Sequence, residues 1–285
     1  MPWLFILLST ICSLSLAFGL KIIEQKGMDR IRVLTVNYIV AGVASIIQSI
    51  SLNNELGIST VPLEVWGMGL FLGTVFLIVF LMLSRSVDVN GVGVSVTAMR
   101  ISLLLPVLAG ILIFGETLHG FKIAGIILVF VSLFLMVNTK KQKTLHFDKN
   151  SLLLVGVFAL SGMADIFLKF FETYYKDLIA ESWFTALLYL TAFVIGSGLL
   201  IVRRNLNFNR KEILFGIGIG IANLYSTIFL LYALGEMPAS IVFPTINIMV
   251  VIGGTIVGII KWKDKLNRMQ WIGLVLACIS LILLL

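Results

Sequence analysis

Arg100, Asp165 and Lys169 are ionisable side chains set within long apolar stretches of this 285-residue sequence. An ionisable group at membrane depth is costly to bury, by at least about 2.5 kcal/mol, and so marks a functional position by default. Asn90, Gly93, Thr97 and Arg100 recur at three- and four-residue spacing, which places them on one face of a helix. A guanidinium on such a face has the donors to hold a carboxylate or another anion. The alternative role is a fixed ion pair, with Asp165 as its carboxylate, that only locks two helices. Asp165 is the one carboxylate well inside an apolar run and therefore the candidate proton carrier. Lys169 follows one turn later, at the spacing that favours a pair along the same helix.

Uncharged polar residues extend the list. Asn37 and Gln48, Tyr189 and Thr191, Asn223 and Thr227, and Ser240 and Asn247 all lie in apolar runs, where each can line a polar pathway or join two helices. Pro106 and Pro244 each remove a backbone N–H and can bend a helix or free a carbonyl. Catalytic chemistry finds little support. His119 and His146 fall in connections, Cys12 and Cys278 in apolar runs, and no carboxylate pair shares a run. Catalytic residues, a metal site and a cofactor are therefore not expected. Gly216, Gly218 and Gly220 lack the strand–turn–helix setting of a phosphate loop and suit close helix packing.

These positions need elements to hold them. Hydrophobic residues make up 59% of the chain and charged ones 12%, with a mean hydropathy of +1.09; an ordinary soluble domain is about 25% charged. Apolar runs occur at about 2–20, 31–51, 66–84, 91–113, 121–138, 152–171, 181–201, 213–234, 238–260 and 269–285, each near the roughly 20 residues that span a bilayer. An all-α polytopic membrane protein of ten transmembrane helices is expected. Met1-Pro2-Trp3-Leu4 has no basic residue ahead of its apolar run, so residues 2–20 are read as a retained first helix rather than a signal peptide.

The net charge of +7 then reports topology. Connections after the odd-numbered spans hold 17 of the 21 Lys and Arg, including Lys140, Lys141, Lys143 and Lys149. Short basic loops stay in the cytoplasm, so the odd-numbered loops are expected there and both termini outside a plasma or inner membrane. The charge leaves nothing for nucleic-acid binding; the lipid bilayer and a small-molecule substrate are the expected partners, with a homodimer left open.

The second half repeats the first at an offset of 148. GIILVFVSLFLMV from Gly125 matches GLVLACISLILLL from Gly273; Ser13, Lys21 and Glu24 fall on Ser161, Lys169 and Glu172; Thr97 and Glu116 fall on Thr245 and Asp264. The halves are 1–138 and 151–285, joined by a basic linker at 139–150. Five spans per half is an odd number, so the two copies must cross the membrane in opposite senses. Inverted repeats of this kind are a plan of secondary transporters.

Each half closes on an acidic residue, a spacer and Leu before a Gly-apolar helix (Glu116-Thr117-Leu118 to Gly125; Asp264-Lys265-Leu266 to Gly273). In this the chain resembles the EamA-like branch of the drug/metabolite transporter superfamily. The resemblance implies a central cavity lined by spans 1–4 and 6–9, with spans 5 and 10 packed outside. It also implies export or exchange of metabolites, amino acids or drug-like solutes. Many relatives are described with both ends in the cytoplasm, opposite to the basic residues here. A membrane-embedded enzyme, a channel or a structural membrane protein are the competing classes. A reporter fused within 139–150 is expected to read as cytoplasmic, and an external reading would reverse the orientation.

Overall fold

A stretch of backbone in a bilayer must satisfy its own N–H and C=O groups, which leaves the helix as the economical solution for each apolar run. The computed structural model describes residues 1–52, 61–90, 92–117, 120–136, 149–263 and 266–284, and among these it contains helices and no strand. They are α1 (Pro2–Gln25), α2 (Arg30–Ser51), α3 (Leu63–Asn90), α4 (Val92–Ile101), α5 (Leu104–Leu112), α6 (Gly120–Met136), α7 (Lys149–Tyr174), α8 (Glu181–Val202), α9 (Arg210–Glu236), α10 (Ala239–Trp262) and α11 (Arg268–Leu284). Eight stretches are long and apolar enough to cross a membrane, with α4 and α5 together supplying one; α6 and α11 are apolar but shorter. The chain is thus a multi-pass membrane protein. Most of the expected linker at 139–150 and Asp264 lie outside the described residues.

With α4 and α5 taken as one interrupted span, helices of the first half begin at residues 2, 30, 63, 92 and 120, and those of the second at 149, 181, 210, 239 and 268. The chain also divides into two compact units, one of Met1–Leu77 with Phe167–Gly235, the other of Ile78–Ile166 with Glu236–Leu285. Each unit takes helices from both sequence halves, so repeats and units cut the chain differently.

The first unit is built around α2 and α8. Thr35, early in α2, lies against Gly196, late in α8, while Ser45 shares a 2.9 Å hydrogen bond with Thr185 early in α8. The two helices are therefore antiparallel. Between those contacts Gly42 leaves room for Leu190. At one end Asp29 caps α2, accepting from the backbone of Ile31 at 2.9 Å and Arg32 at 3.1 Å. Glu212, only 3% exposed, pairs with Arg32 at 3.0 Å and accepts the Asn209 backbone N–H at 2.9 Å. These acids answer the unpaired N–H groups and positive dipole of two helix N-termini.

The second unit is built around α6 and α11. Gly125 faces Leu283 and Leu284, and Gly273 faces Leu135 and Met136. Shifted by 148, each contact becomes the other, as a two-fold relation between antiparallel helices requires. Ser132 and Ser280 repeat the pattern, both fully buried and both donating to the carbonyl three residues earlier at 2.8 Å. Leu103, Val107, Val129, Leu133, Ile248 and Ala277 fill the core beside this pair. The opposite faces expose Phe121, Ile127, Phe134, Val275 and Ile282, an apolar surface suited to lipid rather than water.

Glu116 ties the end of α5 to the start of α10. Gly115 takes a left-handed φ of +64°, the conformation that ends helices with little strain at glycine, and the Glu116 N–H returns to the Gly110 carbonyl at 2.9 Å. Its carboxylate then accepts from Ala239 N at 2.6 Å, Ser240 N at 2.9 Å and Ser240 Oγ at 2.5 Å. Three donors depend on one side chain. Glu116→Ala is expected to lower stability by about 1–3 kcal/mol, the cost of leaving such donors unmet, measured as an earlier melting transition in detergent; an unchanged transition would show that the cap contributes nothing.

Candidate functional site

Pro106 determines the local geometry around Arg100. Proline in the first turn of a helix is tolerated, but it offers no N–H to the carbonyl four residues before it. That carbonyl belongs to Ser102, and it accepts instead from Leu105 N at 2.9 Å, while the Ser102 hydroxyl answers the Met99 carbonyl at 2.5 Å. The expected fourth span is consequently two helices, α4 and α5, interrupted at Ser102 and Leu103. Arg100 lies in the last turn of α4, where the negative end of the helix dipole favours a cation. Pro244 has a different effect: α10 continues through it.

Close approach of α7 to this interruption depends on Gly162. A methyl group there would come within 2.8 Å of the Ser102 carbonyl and 2.5 Å of Leu105. One turn along α7 stands Asp165, whose charge acts on Arg100. From α10, Asn247 Oδ1 accepts from Arg100 Nη1 at 2.8 Å, and its Nδ2 donates to the Phe243 carbonyl at 3.0 Å. The backbone bond fixes the amide so that its oxygen faces the guanidinium. Thr97 is half-buried one turn before Arg100, and the buried hydroxyls of Ser161 and Thr245 have no hydrogen-bond partner among the described residues. Arg100, Thr97, Asn247, Asp165, Pro106 and Pro244 thus all fall in the second unit.

Asn37, Tyr189 and Asn223 form a separate group in the first unit. The Tyr189 hydroxyl shares a 2.6 Å hydrogen bond with Thr227 and donates to the Asn223 carbonyl at 3.0 Å. Asn223 Nδ2 reaches Asn37 Oδ1 at 3.3 Å, and the Tyr189 and Tyr38 rings stack at 6.3 Å. The Nδ2 of Asn37 is buried with no hydrogen-bond partner among the described residues. Among the described residues no group of three or more metal-ligating side chains forms.

Lys169 donates to the Leu234 carbonyl at 2.9 Å, at the C-terminus of α9, and belongs to the first unit while Asp165 belongs to the second. Sequence reasoning also overlooked Glu172. The sixth apolar run was expected to end at 171, but α7 continues to Tyr174 and carries Glu172 into the interior at 2% exposure. Asp165 is accordingly not the only carboxylate within this helix, and Glu172 is the more deeply buried of the two. The roles of Glu116 and Glu212 were equally hidden, since Glu116 answers Ala239 and Ser240 and Glu212 also accepts from Asp29 N at 3.1 Å, donors distant in sequence.

Comparison with known proteins agrees with this architecture. A protein of Haemophilus influenzae described as uncharacterised is 28% identical over 284 residues, covering 95% of this chain and 93% of its own length. A chain of known crystal structure superposes with a TM-score of 0.77 over 98% of this chain and 94% of that one; at 11% identity the likeness is one of fold. Residues 149–285, which hold α7 to α11, match the EamA-like transporter family, consistent with the drug/metabolite transporter superfamily.

Proposed function

We propose that this protein is a secondary transporter that moves a small anionic or carboxylate-bearing solute by alternating access, as an exporter or exchanger. The observation that carries the proposal is the setting of Arg100. It sits at a helix interruption and makes one hydrogen bond, to a neutral amide, among the described residues. The other guanidinium N–H groups donate to no described residue, and a planar fork of this kind suits a carboxylate held by two bonds. Interrupted helices that expose backbone and charge at depth are a recurring way to build such sites.

The inverted five-plus-five arrangement is supported by the antiparallel α2–α8 and α6–α11 pairs and by the matching helix starts. Two copies related in this way can exchange roles, one opening as the other closes. With no nucleotide-binding motif in the sequence, the energy is assigned to a gradient or to exchange. The basic loops support a cytoplasmic position for the odd-numbered connections.

Purified protein in proteoliposomes, offered a panel of metabolites with and without a proton gradient, tests this reading. Transport is expected for solutes bearing a carboxylate or phosphate. Arg100→Ala is expected to reduce it by about tenfold or more, the loss of a charge-assisted contact of about 1.5–3 kcal/mol, with Arg100→Lys intermediate. Full transport of every solute by Arg100→Ala would remove the anion site.

A further inference from the structure

We infer that Glu172 binds and releases a proton during the working cycle, and that its charge state decides how firmly Lys176 holds the end of α9. The inference rests on the transporter reading for its purpose but not for its test.

Glu172 is 2% exposed and its Oε2 has no hydrogen-bond partner among the described residues. A buried carboxylate with an unmet oxygen is costly; the neutral acid carries its own O–H on that atom and avoids most of the cost. Position adds to the argument. Glu172 lies in the last turn of α7, where the negative end of the helix dipole disfavours a second negative charge. The capping acids named above behave oppositely: Glu116 and the buried Glu212 both accept from N–H groups at helix starts.

The surroundings make such a proton consequential. Lys169 and Glu172, three residues apart, share one face of α7, and Lys176 follows in the turn after the helix. Lys169 donates to the Leu234 carbonyl at 2.9 Å and Lys176 to the Gly235 carbonyl at 3.4 Å. These are carbonyls of the last turn of α9, whose helical acceptor sites would otherwise be open. A methyl group on Gly235 would lie 2.3 Å from Glu172 Oε1 and 3.5 Å from Lys176 Nζ, so carboxyl, ammonium and backbone meet at one point. The charged and titratable groups acting on Glu172 are Lys169, Lys176 and Asp177 from its own helix and the turn after it, and Glu181 from α8; Tyr232 of α9 feels it in turn.

The exchange balances simply. A proton from water bonds to Oε2 and the carboxylate becomes neutral; Lys176 then has the Gly235 carbonyl as its acceptor, as observed. Loss of the proton restores a carboxylate that competes for the ammonium, and the last turn of α9 gives up a capping cation.

Infrared spectroscopy of the whole protein in proteoliposomes, titrated from about pH 5 to about pH 9 to bracket carboxyl groups displaced from their usual range, tests the first part. A band from a protonated carboxyl group is expected to disappear as pH rises, to be absent from Glu172→Gln and to persist in Asp165→Asn. In wild type carrying 13C-glutamate the same band should move, which gives the answer without any substitution. No titrating band, a band that survives Glu172→Gln, or one unmoved by the label would overturn the assignment. Hydrogen exchange of the peptide around 232–238 tests the second part: at the alkaline end wild type should lose protection relative to Glu172→Gln, while the two match at the acid end. Equal protection throughout would overturn the role given to Lys176. Neither measurement needs a substrate, so failure here is distinguishable from failure of the anion-transport reading.

Discussion

Unmet backbone groups at helix ends, in surroundings that offer little water, are the constraint from which the polar chemistry of this protein follows. Every helix leaves four N–H groups at its start and four carbonyls at its finish, and in an apolar interior each must find a partner or carry a cost of a few kcal/mol. The charged side chains are placed accordingly. Glu116 answers the start of α10, Asp29 and Glu212 answer the starts of α2 and α9, and Lys169 and Lys176 answer the finish of α9. Sign matches terminus in each case, as the helix dipole requires.

Seen this way, the interruption at Ser102 places a helix end where the span would otherwise have had continuous backbone. Pro106 withholds one N–H, the ladder stops, and α4 acquires a C-terminus close to Arg100. A cation is favoured at that end even without a carboxylate in contact with it. Among the described residues Arg100 donates to Asn247 alone, and that setting is what the proposed anion site draws on. Asp165 and Glu172 are the carboxylates of α7 that answer no helix start among the described residues. Their placement has no capping explanation, and both are candidates for chemistry rather than construction.

Much of this was legible in the sequence, and the reasons for success and failure are physical. Apolar runs identify helices because the bilayer admits few alternatives. The 148-residue offset identified the Gly125–Gly273 relation because packing of α6 against α11 is made from small residues that recur. Pro106 was visible as a source of bending, but the position of the break follows from which carbonyl loses its donor, four residues earlier. Glu116 and Ser240 are 124 residues apart, and no local pattern joins them. Glu172 was missed for a smaller reason: a span boundary set three residues short turned a buried acid into a loop residue. Boundaries are where sequence reasoning is weakest, and here a helix end carries the informative residue.

The repeat also separates scaffold from site. Where the two halves pack, they agree: Gly125 with Gly273, Ser132 with Ser280, in matched contacts. Among the candidate polar residues most disagree, although Thr97 falls on Thr245 and Lys169 on Lys21. At the same offset Arg100 corresponds to Ile248, Asn247 to Met99, Asp165 to Ala17, Asn223 to Val75 and Tyr189 to Ala41. Ile248 is fully buried in the apolar core of its unit, so the equivalent of the guanidinium position has become packing. A symmetric scaffold needs only that its helix contacts recur, since shape and register determine how the copies fit. A solute that is itself asymmetric, charged at one end and not the other, is matched better by one polar set than by two. The divergence of Arg100 and Asn247 from their counterparts therefore argues for a single oriented anion site within a repeated frame, rather than for a pair of equivalent ones.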